Sequence, residues 1–248
     1  MRQNNQVTLG DDKELAYESP QREVVPLFDS KDNCLVTIPL YEITEIYHKA
    51  GTVAFAEEVA LRQEVIEELR REGVPVFNSI SADRAAVNEV HIGGPLTNDR
   101  AHTLFLNHFC NFRYRLNSQT FDALPEKIKS TRADSIDVVD DASKEGYIVG
   151  PAPGKLIRFD NVRNDCAILA KLVPSDFAPS VNKTVYFMFG SRLRGTEAAV
   201  RYFLEHREYL NTRFGGGHFL VAMDVNNDDA TIDFSKAPVD LTDDVFPV

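Results

Sequence analysis

Val185-Tyr-Phe-Met-Phe189 is apolar or aromatic at every position, and Gly190 follows it directly. A strand with one wet face alternates polar and apolar residues. An unbroken apolar run needs cover on both faces and belongs inside a sheet that carries layers on either side. Phe219-Leu-Val-Ala-Met223 repeats the pattern, and Val90-His-Ile92 runs into Gly93-Gly94-Pro95. Helical spacing follows two of these strands. It covers Asn98 to Phe109 after the first turn, and Thr196 to Thr212 after Gly190, with Ala199, Phe203 and Leu210 on its apolar side.

This strand–turn–helix rhythm predicts an α/β chain of Rossmann-like type, a mostly parallel sheet flanked by helices, preceded by an N-terminal helical segment. Residues 1–39 read as an arm with a short strand at Cys34-Leu-Val-Thr-Ile38. Residues 40–75 read as helical, because Leu40, Ile43, Ile46 and Tyr47 recur at three- and four-residue spacing and Val53, Val59, Ile66 and Leu69 continue it; Gly73 and Pro75 end the segment. The α/β domain then occupies 76–248. Further strands are expected at Phe112–Leu116, Tyr147–Val149, Leu156–Phe159 and Cys166–Val173. Residues 117–145, with Asp134, Asp137, Asp140 and Asp141, read as a surface excursion, and the acidic tail from Asp224 as solvated or as a sheet edge.

Charge narrows the partners. With 38 acidic against 27 basic residues the net charge is −11, which repels nucleic acid and anionic membrane surfaces. Cys34, Cys110 and Cys166 are odd in number and far apart, as reduced thiols are. His108 and Cys110 form a close pair without the second pair that a metal site needs, so no metal is expected, and the sequence names no cofactor. Met1 to Glu14 is polar, without the apolar core of a signal segment, and the expectation is a cytoplasmic protein.

Both glycine turns follow a strand and open a helix, which in an open α/β sheet puts them where ligands bind and where free N–H groups suit an anion. In the first turn Gly93 and Gly94 allow close approach of a ligand, Thr97 or Asn98 caps the helix, and Asp99 and His102 share its face. In the second, Gly190-Ser-Arg-Leu-Arg-Gly195-Thr196-Glu197 approaches a phosphate loop but lacks the lysine after Gly195. It keeps Arg192 and Arg194, whose forked donors match phosphate or carboxylate, a Thr196 cap, and Glu197 at the helix start. Gly215-Gly216-Gly217 follows a helix and reads as its termination, with no ligand role.

At Ile92-Gly93-Gly94-Pro95, Phe189-Gly190 and Gly195-Thr196-Glu197 the chain resembles, over about residues 88–224, the Rossmann-like SLOG superfamily. That superfamily groups LOG-type phosphoribohydrolases with DprA-like and sensor domains. The resemblance implies a nucleotide or nucleotide-derived ligand at the glycine turns. LOG-type enzymes carry Pro-Gly-Gly-x-Gly-Thr-x-x-Glu. Here Phe189-Gly190-Ser191 replaces Pro-Gly-Gly, Ala199 stands at the glutamate position, and Glu197 lies two residues early, about 200° around the helix. These departures favour binding over hydrolysis.

The leading expectation is therefore a ligand-binding or sensing protein for a small anionic, nucleotide-derived molecule. Its binding residues are Gly93, Gly94, Asn98, Asp99, Arg192, Arg194, Gly195, Thr196 and Glu197. An enzyme cleaving an N-glycosidic bond through Glu197, Asp99 or His102 is one alternative. A non-catalytic interaction module acting through the 40–72 helices, as a homo-oligomer or on another partner, is the other.

Overall fold

The computed structural model describes residues 28, 34–38, 41–46, 49–53, 56–77, 88–109, 112–150, 154–159, 164–174, 184–226 and 238–246. The elements run as β1 (Cys34–Thr37), β2 (Tyr41–Ile46), β3 (Lys49–Val53), α1 (Ala56–Arg71), β4 (Val76–Phe77), β5 (Asn88–Ile92) and α2 (Asp99–His108). Then come β6 (Arg113–Asn117), α3 (Ser118–Asp122), α4 (Glu126–Arg132), β7 (Ile136–Val139), β8 (Gly146–Val149) and β9 (Lys155–Arg158). The chain continues through β10 (Asn164–Leu172), β11 (Val185–Gly190), α5 (Leu193–Glu205), α6 (Arg207–Phe214), β12 (Phe219–Asn226), β13 (Val239–Asp240) and α7 (Thr242–Val245).

A seven-stranded sheet in the order β13-β12-β10-β11-β5-β1-β4 organises the protein, and a four-stranded sheet, β7-β6-β8-β9, packs on one of its faces. β11 displays the two-sided burial that its sequence demands. Tyr186 and Met188 join a core with Leu61, Val65, Ile66 and Leu69 of α1 and Ala199, Tyr202 and Phe203 of α5. Val185, Phe187 and Phe189 point the other way, into a core with Phe105 of α2, Tyr114 and Tyr147 of the smaller sheet, and Val245. Phe105 meets Phe187 and Phe189 edge-on at 5.2 and 5.5 Å, so truncating it to alanine costs about 3–5 kcal/mol.

The large sheet is mixed, where the sequence predicted a mostly parallel one. β4, β1, β5 and β11 are parallel, but β10 runs antiparallel to β11 and β12, and β13 antiparallel to β12. The link from β10 to β11 spans residues 173–184, at the short limit for a parallel crossover. The helical reading of 40–75 is also corrected. β2 and β3 form an antiparallel hairpin, and helix begins only at Ala56. The short strand expected in the arm is an inner strand, β1 between β5 and β4.

α1 closes as its sequence directs. Gly73, at φ 76°, donates to Arg70 O, and Val74 N–H reaches back to Leu69 O at 2.9 Å. The expected surface excursion, 117–145, contains α3, α4 and β7, the last paired with β6. The tail contributes β13 and buries Leu241, Val245 and Phe246. Residues 1–27, Cys110 and 227–237, which enter the arm, thiol and tail expectations, lie outside the described residues. Among the described residues no helix is long and apolar enough to cross a membrane.

Candidate functional site

β5 and β11 are parallel neighbours, with Val185 opposite Glu89 and Met188 opposite Ile92, so both glycine turns leave the same edge of the sheet side by side. Gly93, at φ 93°, donates its N–H to Met188 O at 2.9 Å. At this φ a side chain would be strained, which explains the glycine. Asn98 then caps α2, its Oδ1 accepting from Ala101 N at 3.1 Å.

The second turn is built around a residue with no signal in the sequence. Asp165, on the first turn-side of β10 and fully buried, accepts from the backbone N–H groups of Ser191 (2.9 Å), Arg192 (3.1 Å) and Gly195 (2.6 Å), and from the Ser191 hydroxyl. Burial raises its pKa, and the Ser191, Gly195 and Cys166 donors oppose that rise. Helix α5 starts at Leu193, so Thr196 is not its N-cap as expected; Asp165 supplies the cap from another strand. Thr196 instead accepts the Gly190 N–H and donates to Arg192 O. A Cβ on Gly195 would lie 2.6 Å from Cys166 O and 2.7 Å from Asp165 Cγ, so this glycine exists to let α5 approach β10.

Between the turns lies a cavity of about 290 Å³. One wall is polar backbone and short side chains: Gly93, Gly94 and Thr97 from the first turn, Gly190, Ser191, Arg192 and Thr196 from the second. The facing wall comes from the smaller sheet and the residues that follow α3 and β9, through Tyr114, Leu116, Leu124, Tyr147 and Phe159. Glu58 of α1 joins the lining beside the second turn's residues. Burial lifts both tyrosine pKa values far above the ordinary phenol range, so both stay protonated. Arg192 is exposed, and its guanidinium makes no ion pair among the described residues.

The residues singled out from sequence divide accordingly. Gly93, Gly94, Arg192 and Thr196 line the cavity, and Gly195 stands just behind it. Asn98, Asp99, Arg194 and Glu197 do not line it. Asp99 is paired with Arg132 and, at 3.5 Å, with Lys127. Arg194 pairs with Glu197 at 3.0 Å, and Glu197 also with Arg201 at 2.9 Å. His102 is half-buried under α2, where burial and the Arg132 charge pull its pKa to about 4 against the opposing effect of Asp99. Sequence reasoning passed over Glu58, Tyr114, Tyr147, Phe159 and Asp165. The aromatics had read as strand interior, Glu58 as an ordinary charged residue of the helical segment.

Asn98 is held from below by a buried polar chain. Its Nδ2 donates to Thr37 Oγ1 at 2.9 Å, and the Thr37 hydroxyl meets His91 Nδ1 at 2.6 Å. His91 Nε2 lies 3.0 Å from Glu89, whose carboxylate also takes Arg100 Nε at 2.6 Å. Burial alone would raise the Glu89 pKa, but His91 and Arg100 bring it down to about 2. This chain fixes the start of α2 on β1 and β5 and so positions the first turn.

Compared with protein-family models, with curated proteins and with solved structures, the chain finds no match. The geometry of the site therefore carries the functional reading by itself.

Proposed function

We propose that this protein binds a small anionic, nucleotide-derived molecule in the cavity between the Gly93 and Gly190 turns, and that it is a Rossmann-like ligand-binding or sensing protein. One observation carries the reading: a single cavity joins both turns to an apolar, aromatic wall, with Arg192, whose guanidinium makes no ion pair among the described residues, in its lining. Arg192 meets the ligand's negative charge through its forked donors. At the start of α5 the N–H groups of Arg192 and Gly195 are already taken by Asp165. Leu116, Leu124, Tyr147 and Phe159 receive the planar, less polar part of the ligand.

Ligand cavities run from about 300 to 1,000 Å³, and one of about 290 Å³ suits a mononucleotide better than a dinucleotide. The resemblance to the SLOG superfamily extends here to binding and not to hydrolysis. Asp99, Glu197 and His102, on which a glycosidic-cleavage reading rests, lie outside the cavity lining, and the two carboxylates are ion-paired.

The experiment is thermal unfolding against mononucleotides, ADP-ribose, NAD, cyclic dinucleotides and sugar phosphates. At about 100 times its dissociation constant a ligand stabilises the folded state by about 2.7 kcal/mol. A shift for a mononucleotide that Arg192→Ala abolishes and Arg194→Ala retains supports the reading. A shift indifferent to Arg192, or none across the panel, overturns it.

A further inference from the structure

Of the three glycines in the cavity lining, the fold requires two. Gly93 has φ 93°, and a Cβ on Gly190 would lie 2.4 Å from Gly195 Cα. Gly94 lies outside the left-handed region, and the atoms nearest to a Cβ there are Gly190 O and the Tyr114 hydroxyl oxygen, both at 4.0 Å. That is ordinary contact, and the backbone accepts an alanine at this position. What the missing side chain leaves uncovered is the Tyr114 hydroxyl.

Tyr114 is 4% exposed and stands in the wall that faces the two turns. Burial keeps its proton in place. The Leu96 N–H faces the hydroxyl oxygen as a donor, and the hydroxyl's own proton meets no acceptor among the described residues. A buried donor left without an acceptor is costly, and a ligand that brings an acceptor removes that cost.

From this, and resting on the anion reading of Arg192, we infer that Tyr114 is a specificity-determining residue of the cavity, donating a hydrogen bond across Gly94 to the uncharged part of the ligand. It selects anions whose ring carries an acceptor, as a nucleobase does through a carbonyl oxygen or a ring nitrogen. The exposed Arg192 holds the charge, while the neutral phenol, at the buried side, suits a neutral acceptor that is cheap to desolvate. An aromatic phosphate without a ring acceptor matches Arg192 and the apolar wall equally well and leaves the hydroxyl unmet.

The test pairs thermal unfolding with calorimetric titration of the full chain and its Tyr114→Phe, Gly94→Ala and Arg192→Ala variants, using UMP, AMP and phenyl phosphate. Without ligand, Tyr114→Phe melts at or above the wild-type temperature, because the hydroxyl it loses had no acceptor. Gly94→Ala melts with wild type. Wild type prefers at least one nucleotide to phenyl phosphate. In Tyr114→Phe that nucleotide weakens about fivefold, as loss of one neutral hydrogen bond requires, and phenyl phosphate is unchanged. Gly94→Ala, whose methyl covers the hydroxyl, weakens the nucleotide too. A preference for UMP over AMP that Tyr114→Phe removes assigns the acceptor to a carbonyl, and the opposite preference assigns it to a ring nitrogen.

A Tyr114→Phe variant that melts well below wild type has lost an internal acceptor and overturns the role of Tyr114. So does one that keeps the wild-type preference for nucleotide, and nucleotide binding untouched by Gly94→Ala overturns the approach across Gly94; all three leave the anion site standing. Absence of binding by all three probes, or binding indifferent to Arg192→Ala, overturns the anion site, and this inference with it.

Discussion

The carboxylate of Asp165 accepts the backbone N–H of Gly195 at 2.6 Å, across 30 positions of sequence. It thereby joins the start of β10 to the first turn of α5. The donors of a helix N-terminus are the usual attraction for a phosphate, and here the chain's own carboxylate takes those of Arg192 and Gly195. The Gly-x4-Gly-Thr spacing serves that internal contact, so the sequence looks like a phosphate loop while the geometry is that of a cap supplied from a neighbouring strand.

Removing this carboxylate strands the buried donor of Gly195 and the part-buried donors of Ser191 and Arg192. At ~1–3 kcal/mol for a buried group left unsatisfied, Asp165→Ala costs at least ~1 kcal/mol. The vacated space is carboxylate-shaped, so millimolar formate restores part of the lost melting temperature in the variant and has no such effect on wild type. A variant as stable as wild type would contradict the capping role.

Gly195→Ala drives a methyl group into Cys166 O and the Asp165 carboxyl. Overpacking of this kind costs about 1–3 kcal/mol, and it displaces the α5 start that carries Arg192. Gly216→Ala is the matched control: nothing lies within 4 Å of its added Cβ. That variant stays within about 0.5 kcal/mol of wild type in urea unfolding.

Two acid transitions separate by pH. His102 is held neutral down to about pH 4 by burial and Arg132, whereas an unfolded histidine protonates near 6.5. The unfolded chain therefore takes up the proton first, and stability falls as pH drops from about 6.5 to 4. His102→Gln removes that slope. Glu89, with its pKa lowered to about 2, contributes stability that is present above an unfolded pKa near 4.3 and lost as pH falls from about 5 toward 2. It amounts to about 3 kcal/mol, and Glu89→Gln flattens the lower window. Urea unfolding at a series of pH values reads both slopes, and a slope that survives its variant refutes that assignment.

Arg207 is largely buried between Glu68, at 2.6 Å, and Glu72, and ties α6 to the last turn of α1. Arg207→Met leaves two carboxylates facing each other in a half-buried setting, at a cost of roughly 2–4 kcal/mol. Thermal unfolding reads the loss, and a melting temperature equal to that of wild type would rule this out.

Continuous burial was legible wherever it extended along a strand. Val185–Phe189 and Phe219–Met223 announce inner strands because no polar residue interrupts them, and Gly93 and Gly190 announce turns because they end such runs. Strand direction was not legible: nothing in Cys166–Leu172 records that it runs against its neighbours. The 41–53 hairpin was misread because Ile43 and Ile46 fit a helical spacing as well as an irregular strand; β-branched Ile43, Thr44 and Ile46 and the Gly51-Thr52-Val53 stretch were the better guide. Asp165 was invisible because its partners are brought to it by the sheet, and Glu58 because its neighbour Glu57 has the same local pattern and faces solvent.

The cavity's two walls have separate foundations. The turns that hold Arg192 hang from the large sheet, while Leu116, Tyr147 and Phe159 stand on a smaller sheet with its own ladder of hydrogen bonds. On the ligand-binding reading proposed for this cavity, substitutions in the second wall would therefore change which ring fits while leaving the first wall undisturbed.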